Sequence, residues 1–429
     1  MTTGQPDLET PSRLISGYGK IALLLATALA LLATPMVSPA MHDIAQHFGG
    51  QMETDPTARA LTWMLSFTTD EVSIRLLIKF ILLSIPALMI VVCSPLTGLL
   101  SDYWGRRKLL IYALILFAIS GMSGYFVNTL TGLFIGRLLL GASIAAIKTL
   151  TVAMVGDYFM GKERDRFIGW QGSAMKFGGV AFLLLGGYLA EIHWRVPFWG
   201  YALAFVALPG VIWSLADVRP GTGAKAGPGK PGGAAPATPM LAVSIITFSA
   251  FLASVLFFMT LVQLPFYMPE QFPGRGPKDV GIAIALANLV GAAVAIFFYR
   301  LKARFSYPAI FSLIFLVMGC GYALVALAPS FMVLLLAMAI SGCAFGMIVP
   351  AQSAWMLATV SNARRGFGIG LVTTGMFLGQ FAAPMAIEPF INPANPGQVF
   401  QAAAIGLVSL AAIYAIAGAM LRRPAPSGQ

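Results

Sequence analysis

The chain consists of long apolar stretches separated by short polar ones. A helix needs about 20 apolar residues to cross the hydrocarbon core of a membrane, and unpaired backbone groups make loops and open strands too costly there. The hydropathy pattern therefore predicts twelve membrane-spanning helices. They are expected to begin near Ile21, Leu76, Leu109, Leu130, Phe167 and Val196, and then near Met240, Val280, Pro308, Phe331, Phe367 and Phe400.

A Gly/Pro-rich stretch over residues 217–239 divides the twelve segments into two sets of six. This composition does not support a helix and is typical of a flexible linker. The sequence predicts one six-helix bundle over 21–216 and another over 240–421, with polar tails over 1–20 and 422–429. Duplicated transporter halves have this arrangement. The expected fold is an all-α membrane protein with two pseudo-symmetric six-helix bundles.

The composition is that of a protein surrounded by lipid. Charged residues make up 10% of the 429 positions, hydrophobic residues 58%, and the mean hydropathy is +0.83. Soluble proteins have about a quarter of their residues charged. Three cysteines, Cys93, Cys320 and Cys343, lie in apolar stretches without paired spacing, so neither a disulfide framework nor a metal site is predicted.

The basic residues lie mainly in alternate loops. Eighteen Lys and Arg fall on the side that contains both termini and the linker, and six fall on the other side. Cytoplasmic loops are rich in Lys and Arg, so we expect both termini in the cytoplasm of a bacterial inner-membrane protein. The net charge of +11 is spread over short loops, which argues against nucleic acid as a partner.

One connection on the sparser side is long and runs from about His42 to Arg75. It is predicted to be a solvated cap, and a lid that gathers substrate or binds a partner is the alternative. His42 and His47 are five positions apart, which is poor spacing for a metal site on a helix.

The loop after the second apolar segment, GLLSDYWGRRKL at 98–109, resembles the signature loop of the major facilitator superfamily, G-x-L-x-D-x-x-G-R-R. The glycines are expected to permit a tight turn where helices cross. The resemblance implies that Asp102 and Arg106 hold the two halves together in the outward-facing state, with Asp157 as partner of the arginine. A basic turn that merely sets topology is the alternative. The residues assigned to this conformational switch are Gly98, Asp102, Gly105, Arg106, Arg107 and Asp157.

The equivalent loop of the second half, residues 300–304, is basic but lacks the aspartate, which supports an internal repeat. The segment 132–141 contains Arg137 and resembles the motif R-x-x-Q-G of the drug and metabolite exporter branch, with Leu140 in place of glutamine. The fifth segment keeps Gly186 and Gly187 of that branch's glycine motif but lacks its Gly-Pro pair. We expect the remaining glycines to serve close helix packing.

Charges inside membrane helices are expensive and are therefore functional candidates. Arg137 and Lys148, eleven positions apart, should share one face of the fourth helix. Lys148 and Lys176 should lie at similar depth on adjacent helices, with no carboxylate at mid-membrane. They are predicted to face a central cavity and attract an anionic group of the substrate; the alternative is that they extend towards the cytoplasmic surface or bind carbonyls.

Seven polar or aromatic residues within apolar runs are further candidates for substrate binding or coupling, and each could equally bridge helices. They are Gln171, Gln263, Tyr267, Asn288, Gln352, Trp355 and Gln380.

These features favour a secondary active transporter that moves a small organic solute by alternating access, with efflux preferred. An importer or exchanger of organic anions is the alternative, and a non-transporting sensor or scaffold is a remote one. No Walker loop, G-x-S-x-G elbow or H-E-x-x-H motif occurs, so neither an enzyme nor a cofactor is predicted. The expected partners are the substrate, the lipid bilayer and protons as coupling ion. One chain supplies both halves, so we expect a monomer.

Overall fold

A computed structural model describes residues 15–31, 33–66, 73–159, 161–215, 240–360, 365–392 and 395–420. The chain is helical within these ranges and contains no β-strand there, only isolated bridges. The predicted linker 217–239, the C-terminal tail 422–429 and residues 1–14 of the N-terminal tail lie outside the described residues.

In the described part, eleven helices are long and apolar enough to cross a membrane, and a bent pair of helices passes the same test when it is taken as one span, which makes twelve. The predicted all-α membrane fold is therefore confirmed. We call the crossings spans 1 to 12: Gly17–Leu29 with Thr34–Gln51, Ile74–Ser101, Arg106–Phe126, Leu130–Tyr158, Arg166–Ile192, Val196–Ser214, Met240–Gln271, Pro277–Ile296, Tyr307–Ala326, Phe331–Thr359, Gly368–Phe390 and Gln398–Met420.

Several spans contain short segments of different helical geometry, and two helices lie between spans. Span 2 contains a π-helical segment, Phe80–Ser84, and span 6 opens with a 3₁₀ segment, Val196–Ala202. Span 11 is an α-helix over Arg365–Ile387 that continues as a 3₁₀ turn. The helices between spans are Pro56–Leu65 and Phe298–Arg304.

The buried apolar side chains form two large cores. One is drawn from spans 1 to 6, the N-half, and the other from spans 7 to 12, the C-half. Of the fully buried residues in these two cores, two come from the other half: Phe266 of span 7 packs in the first core, and Leu183 of span 5 packs in the second. These exchanged side chains mark where the halves touch.

Successive spans run in opposite directions, so their connections lie at two ends of the bundle. The basic end contains the turn at Gly105 and the helix Phe298–Arg304. The opposite end contains the connections that follow spans 1, 3, 5, 7, 9 and 11. Gly105 has φ 85°, a left-handed conformation that favours glycine, and it allows span 3 to begin directly after span 2.

Span 1 differs from the prediction in its bounds. Its first helix begins at Gly17, and the chain then bends by 54° into Thr34–Gln51. Pro35 lies at the bend, where its missing N–H prevents the first helix from continuing. The second helix includes His42 and His47, so the first part of the predicted long connection belongs to the span instead.

The rest of that connection is packed against the start of span 4. Asp55 caps the helix Pro56–Leu65 and also accepts hydrogen bonds from the backbone and hydroxyl of Thr131, at 3.0 and 2.8 Å. Burial alone would raise the pKa of Asp55, but these bonds from Thr131 and those from the N–H groups of Ala58 and Thr57 outweigh it and hold the pKa below its ordinary value. The segment is therefore a docked helix rather than a freely solvated cap.

Adjacent glycines let span 5 contact one span of each half. A Cβ on Gly186 would lie 2.3 Å from the carbonyl oxygen of Met36 in span 1. A Cβ on Gly187 would lie 3.0 Å from the carbonyl oxygen of Pro277 and 3.3 Å from the Cα of Gly281 in span 8. The expectation that these glycines serve close helix packing is confirmed.

Candidate functional site

The N-half and the C-half are joined towards the opposite end. Between described residues, every hydrogen bond and ion pair that crosses the halves connects span 2, its preceding residue Ser73, or span 1 with span 7 or span 11. Two of these hold backbone positions together: Ser38 donates to the carbonyl of Leu261, and Ser84 donates to that of Phe381, both at 2.6 Å.

Lys79 lies at the centre of this junction and is 1% exposed. Its ammonium donates to Oε1 of Gln263 at 3.0 Å and lies 3.7 Å from Oε2 of Glu388. The six basic residues that the sequence assigns to connections of the sparser side include Lys79, and this assignment is wrong because Lys79 lies inside span 2, which begins at Ile74. The apolar run around Lys79 was the available signal, since a lysine inside such a run is a functional candidate.

Glu388 completes the buried pair from the C-half. Its Oε1 accepts a hydrogen bond from Ser73 at 3.0 Å. Its Oε2 is buried and has no hydrogen-bond partner among the described residues, so Lys79 is its main compensation. Separating these charges would leave each uncompensated in a poorly solvated site.

A second, more exposed pair lies beside the first. Arg75 contacts Glu270 at 2.6 Å, with side-chain exposures of 38% and 29%. The ring of Phe266 lies between the two pairs, 5.6 Å from the Arg75 guanidinium and 4.9 Å from the Lys79 ammonium. The junction therefore combines a buried ion pair, a partly solvated one and an aromatic ring that contacts both cations.

Lys148 is placed at mid-depth where the halves face each other. Its ammonium lies 4.3 Å from the ring centroid of Phe377 in span 11. None of the ion pairs or side-chain hydrogen bonds within the described part includes its amine. Gln380, 7% exposed, follows Phe377 by one helical turn and so lies on the face that Phe377 and Phe381 present to the N-half. The side chain of Lys176 lies outside the described residues.

Arg137 is buried inside the N-half. Its guanidinium donates to the hydroxyl of Tyr201 at 3.1 Å and to the carbonyl of Gly121 at 3.4 Å, and it lies 5.0 Å from the ring centroid of Phe198. Its partners therefore belong to spans 3 and 6, whereas Lys148 contacts the C-half.

Four other predicted residues make contacts within one half. Gln171 donates to Thr27 at 2.9 Å, Tyr267 donates to the carbonyl of Val325 at 2.8 Å, and Asn288 donates to a carbonyl of its own helix at 2.9 Å. Trp355 stacks on Tyr307, with ring centroids 5.9 Å apart. Gln263 differs from these because it receives the bond from Lys79 across the halves.

Gln352 in span 10 has an unusual environment. Its side chain is fully buried, yet neither its amide nitrogen nor its amide oxygen has a hydrogen-bond partner within the described part. Most buried polar groups are paired, so this amide is either a local cost to stability or a group that meets a ligand.

At the basic end, Arg106 of the signature loop forms an ion pair with Asp157, the predicted partner, and donates to the carbonyl of Ala153 at 3.1 Å. Arg107 donates to the carbonyl of Ile212. Both contacts remain within the N-half, and the side chain of Asp102 lies outside the described residues.

Gly98 is not at the tight turn that its motif suggested. It lies inside the helix Ile85–Trp104, and a Cβ there would meet nothing within 4 Å. Close helix packing therefore does not require a glycine at position 98 in this structure.

Comparison with known proteins places this geometry among transporters. Quinolone resistance protein NorA of Staphylococcus aureus is 24% identical over 345 residues, covering 76% of this chain and 83% of that protein. Multidrug resistance protein 1 of Bacillus subtilis is 32% identical over 121 residues, covering 28% of this chain and only 31% of that protein.

A bacterial homologue of the human lysosomal transporter Spinster, solved in an inward-facing and occupied conformation, has the same fold, with a TM-score of 0.71 and 16% identity. The alignment covers 99% of this chain and 100% of that one. The sequence profile of the Major Facilitator Superfamily matches residues 23–384. This match extends over most of both halves and includes the signature loop, and the chain therefore belongs to the Major Facilitator Superfamily.

Proposed function

We propose that this protein is a secondary active transporter that exports a small organic solute carrying an anionic group. The position of Lys148 carries the proposal, because its ammonium lies at mid-depth between the halves and contacts the aromatic ring of Phe377. Transporters of this architecture bind substrate near the bilayer midplane at the interface of the repeats. A cation in such a poorly solvated place attracts anionic groups, and the Phe377 ring offers a surface for an apolar or aromatic part of the same molecule.

Alternating access explains why the halves are joined at one end. With the basic end in the cytoplasm, as the excess of Lys and Arg in the connections at that end favours, the junction around Lys79 closes the outer side. Lys148 then faces a space that opens to the cytoplasm, where an exporter collects its substrate. This orientation also puts both termini in the cytoplasm of a bacterial inner-membrane protein.

Efflux is supported by the names of the relatives, which are resistance proteins for quinolones and for multiple drugs. A membrane transporter that confers resistance lowers the internal concentration of the drug. Uptake or exchange of organic anions is the second candidate, because the same cation would serve either direction. We infer protons as the coupling ion and a monomer as the working unit.

Transport by the purified protein in liposomes tests the proposal. We expect a pH gradient to drive accumulation of anionic organic solutes, and Lys148→Gln to reduce their transport by roughly tenfold or more, a loss of about 1.4 kcal/mol or more of binding. Lys148→Arg should retain part of the activity because the charge remains. Lys108→Gln, which removes an exposed cation at the basic end, is the matched control.

Transport of cationic or neutral solutes that is unaffected by Lys148→Gln would contradict the anionic substrate. The sign of the gradient that drives accumulation would separate export from uptake. Solute transport that does not respond to a pH gradient but requires an anion on the other side of the membrane would show anion exchange instead of proton coupling.

A further inference from the structure

We propose that the carboxylate of Glu388 binds a proton from the water at the opposite end, and that this proton opens the junction between the halves. The proposal rests on the proposed function, in which protons are the coupling ion, and it assigns their action at this end to one side chain. Glu388 begins the 3₁₀ turn that ends span 11, so it lies close to the surface of the bundle. Its side chain is 10% exposed, whereas that of Lys79 is 1% exposed. A proton from solution can therefore reach the carboxylate, while the ammonium is sealed from water.

The charges of the junction are divided strictly between the halves. Both cations, Arg75 and Lys79, belong to span 2 of the N-half, and both carboxylates, Glu270 and Glu388, belong to the C-half. Attraction between the halves at this end therefore depends on the charge of the carboxylates. The outer pair of Arg75 and Glu270 is partly solvated and contributes little, whereas the buried pair is screened weakly. Glu388 is thus the carboxylate whose charge matters most for closure.

One oxygen of Glu388 is available for the proton. Its Oε2 is buried, lies 3.7 Å from the Lys79 ammonium and has no hydrogen-bond partner among the described residues, while Oε1 accepts the bond from Ser73. A proton on Oε2 removes the negative charge, so Lys79 loses its ion-pair partner and retains its bond to Gln263. A buried ammonium without a counter-charge is strongly unfavourable, and opening of the junction returns it to water. Proton binding and opening therefore favour each other.

The other groups around the pair can be separated from Glu388 by substitution. Span 12, which contacts the turn Glu388–Phe390, carries no Asp, Glu, Lys, Arg or His. On the other described elements that pack against the pair, the charged or acid-titrating side chains are Arg59, Arg75, Glu270, His42, Asp43 and His47.

Two of these groups are real alternatives to Glu388. The arginines stay protonated at every pH considered. The ring of His47 contacts that of Trp194, and Asp43 interacts electrostatically with His42 and His193, so both have their neighbours in the N-half. Glu270 pairs across the halves, and the ring of His42 lies 5.8 Å from that of Phe266 in span 7. Glu270 and His42 are therefore the groups that an experiment must exclude.

The test measures the distance between the halves in the full-length protein, in detergent and without any solute. The three native cysteines are replaced by alanine, and spin labels are attached at the exposed positions Thr54 and Pro329 of the opposite end. We expect the fraction of molecules with the longer distance to rise as the pH falls from about 8 to about 4.5. One proton changes the open-to-closed ratio by at most roughly tenfold for each unit of pH. Because no solute is present, failure here would leave the transport result for Lys148→Gln standing.

Lys79→Gln gives the sharpest result, because it should reverse the direction of the pH response. Without the ammonium, the ionised carboxylate of Glu388 is itself the buried charge that lacks a partner, so the junction should be open at neutral pH. A proton then neutralises this carboxylate and favours the closed junction. Acid should therefore open the wild type and close Lys79→Gln. A substitution that only loosens the packing would leave the direction of the response unchanged, and that outcome would overturn the proposal.

Three more variants complete the experiment. Lys79→Gln/Glu388→Gln has neither charge and should show no response to acid. Glu270→Gln removes the carboxylate of the exposed pair and is the matched control, and both it and His42→Gln should respond as the wild type does. A response that persists in the double variant, or that disappears in Glu270→Gln or His42→Gln, would assign the proton to another group. A wild type whose distances do not change with pH would overturn the proposal without any variant.

Discussion

At the residue scale, the polar groups of the spans fall into two classes: those that contact the other half and those that contact only their own half. Lys79, Gln263 and Glu388 cross, whereas Arg137 and Gln171 do not. A contact that crosses must be broken when the opposite end opens, and a contact within one half can persist. Substitutions of the first group should therefore alter conformational populations, and substitutions of the second should alter stability.

Glu388→Gln should favour opening at the opposite end. The amide would leave the buried ammonium of Lys79 without its ion-pair partner, and removing one member of a buried pair costs about 3–5 kcal/mol. A shift of that size changes the equilibrium constant between closed and open states by roughly two to nearly four orders of magnitude. Distances between spin labels placed on both halves at the opposite end should lengthen.

Two variants serve as controls for this experiment. Glu270→Gln removes the partner of the exposed Arg75, and exposed pairs contribute about 0–1 kcal/mol, so the distances should change little. Lys79→Gln/Glu388→Gln removes both buried charges and should restore much of the closed population. Unchanged distances in Glu388→Gln would show that the pair does not hold this end closed.

Gln352→Met should stabilise the protein if the amide is only a buried, unpaired group. Leaving a buried polar group unsatisfied costs about 1–3 kcal/mol, and methionine has a similar shape without that cost. The melting temperature is the measurement, with Gln171→Met as the opposite case because it breaks the bond to Thr27. A folded Gln352→Met protein with impaired transport would instead assign the amide to the substrate.

We expect the stability of the docked helix Pro56–Leu65 to depend on pH through Asp55. Its folded-state pKa lies below the ordinary value of 3.8, so the ionised group stabilises the docked helix at any pH above that value. The contribution is lost as the pH falls through the lower, folded-state pKa. Asp55→Ala should remove it at neutral pH, at a cost of about 1 kcal/mol for the lost cap. Faster amide hydrogen exchange in Pro56–Leu65 would report this, and unchanged exchange would contradict it.

At the element scale, span 5 is positioned by backbone contacts on two sides. Gly186 faces a carbonyl of span 1 at a distance that excludes a Cβ, whereas Gly187 faces span 8 with slightly more room. The same residue type at adjacent positions thus serves packing within a half and contact between halves.

Gly186→Ala and Gly187→Ala should consequently have different effects. Alanine at 186 would collide with the carbonyl of Met36 at 2.3 Å, so the N-half must shift and the melting temperature should fall by several degrees. Alanine at 187 would crowd span 8 at 3.0–3.3 Å, which should slow transport more than it lowers stability. Equal effects on both measurements would show that the two contacts are not distinct.

At the scale of the whole molecule, the twelve crossings were predictable because each depends on one property, about 20 apolar residues in a helix. The bend in span 1 was missed because Pro35 lies within an unbroken apolar run. The Arg106–Asp157 pair followed from the motif and is present. The Lys79–Glu388 pair could not be predicted, because its partners are distant in sequence and belong to different halves.

The environment of Arg137 could not be predicted from the sequence either. The sequence identifies a charge in an apolar helix, but the helical period does not say which neighbouring helix that charge faces. Only the packing of spans 3 and 6 shows that Tyr201 receives the guanidinium.

The close approach of Gly187 and Gly281 has a mechanical consequence if the halves tilt about it. Gly187 is five residues from the opposite end of span 5 and 21 from its other end, so the lever arm towards the basic end is roughly four times longer. Rigid tilting about this point would close the basic end widely while opening the opposite end by little. A wider opening of the opposite end would therefore need helices that bend near that end. Three spans have features there that allow bending: the π segment of span 2, Pro265 and Pro269 in span 7, and Pro384 in span 11.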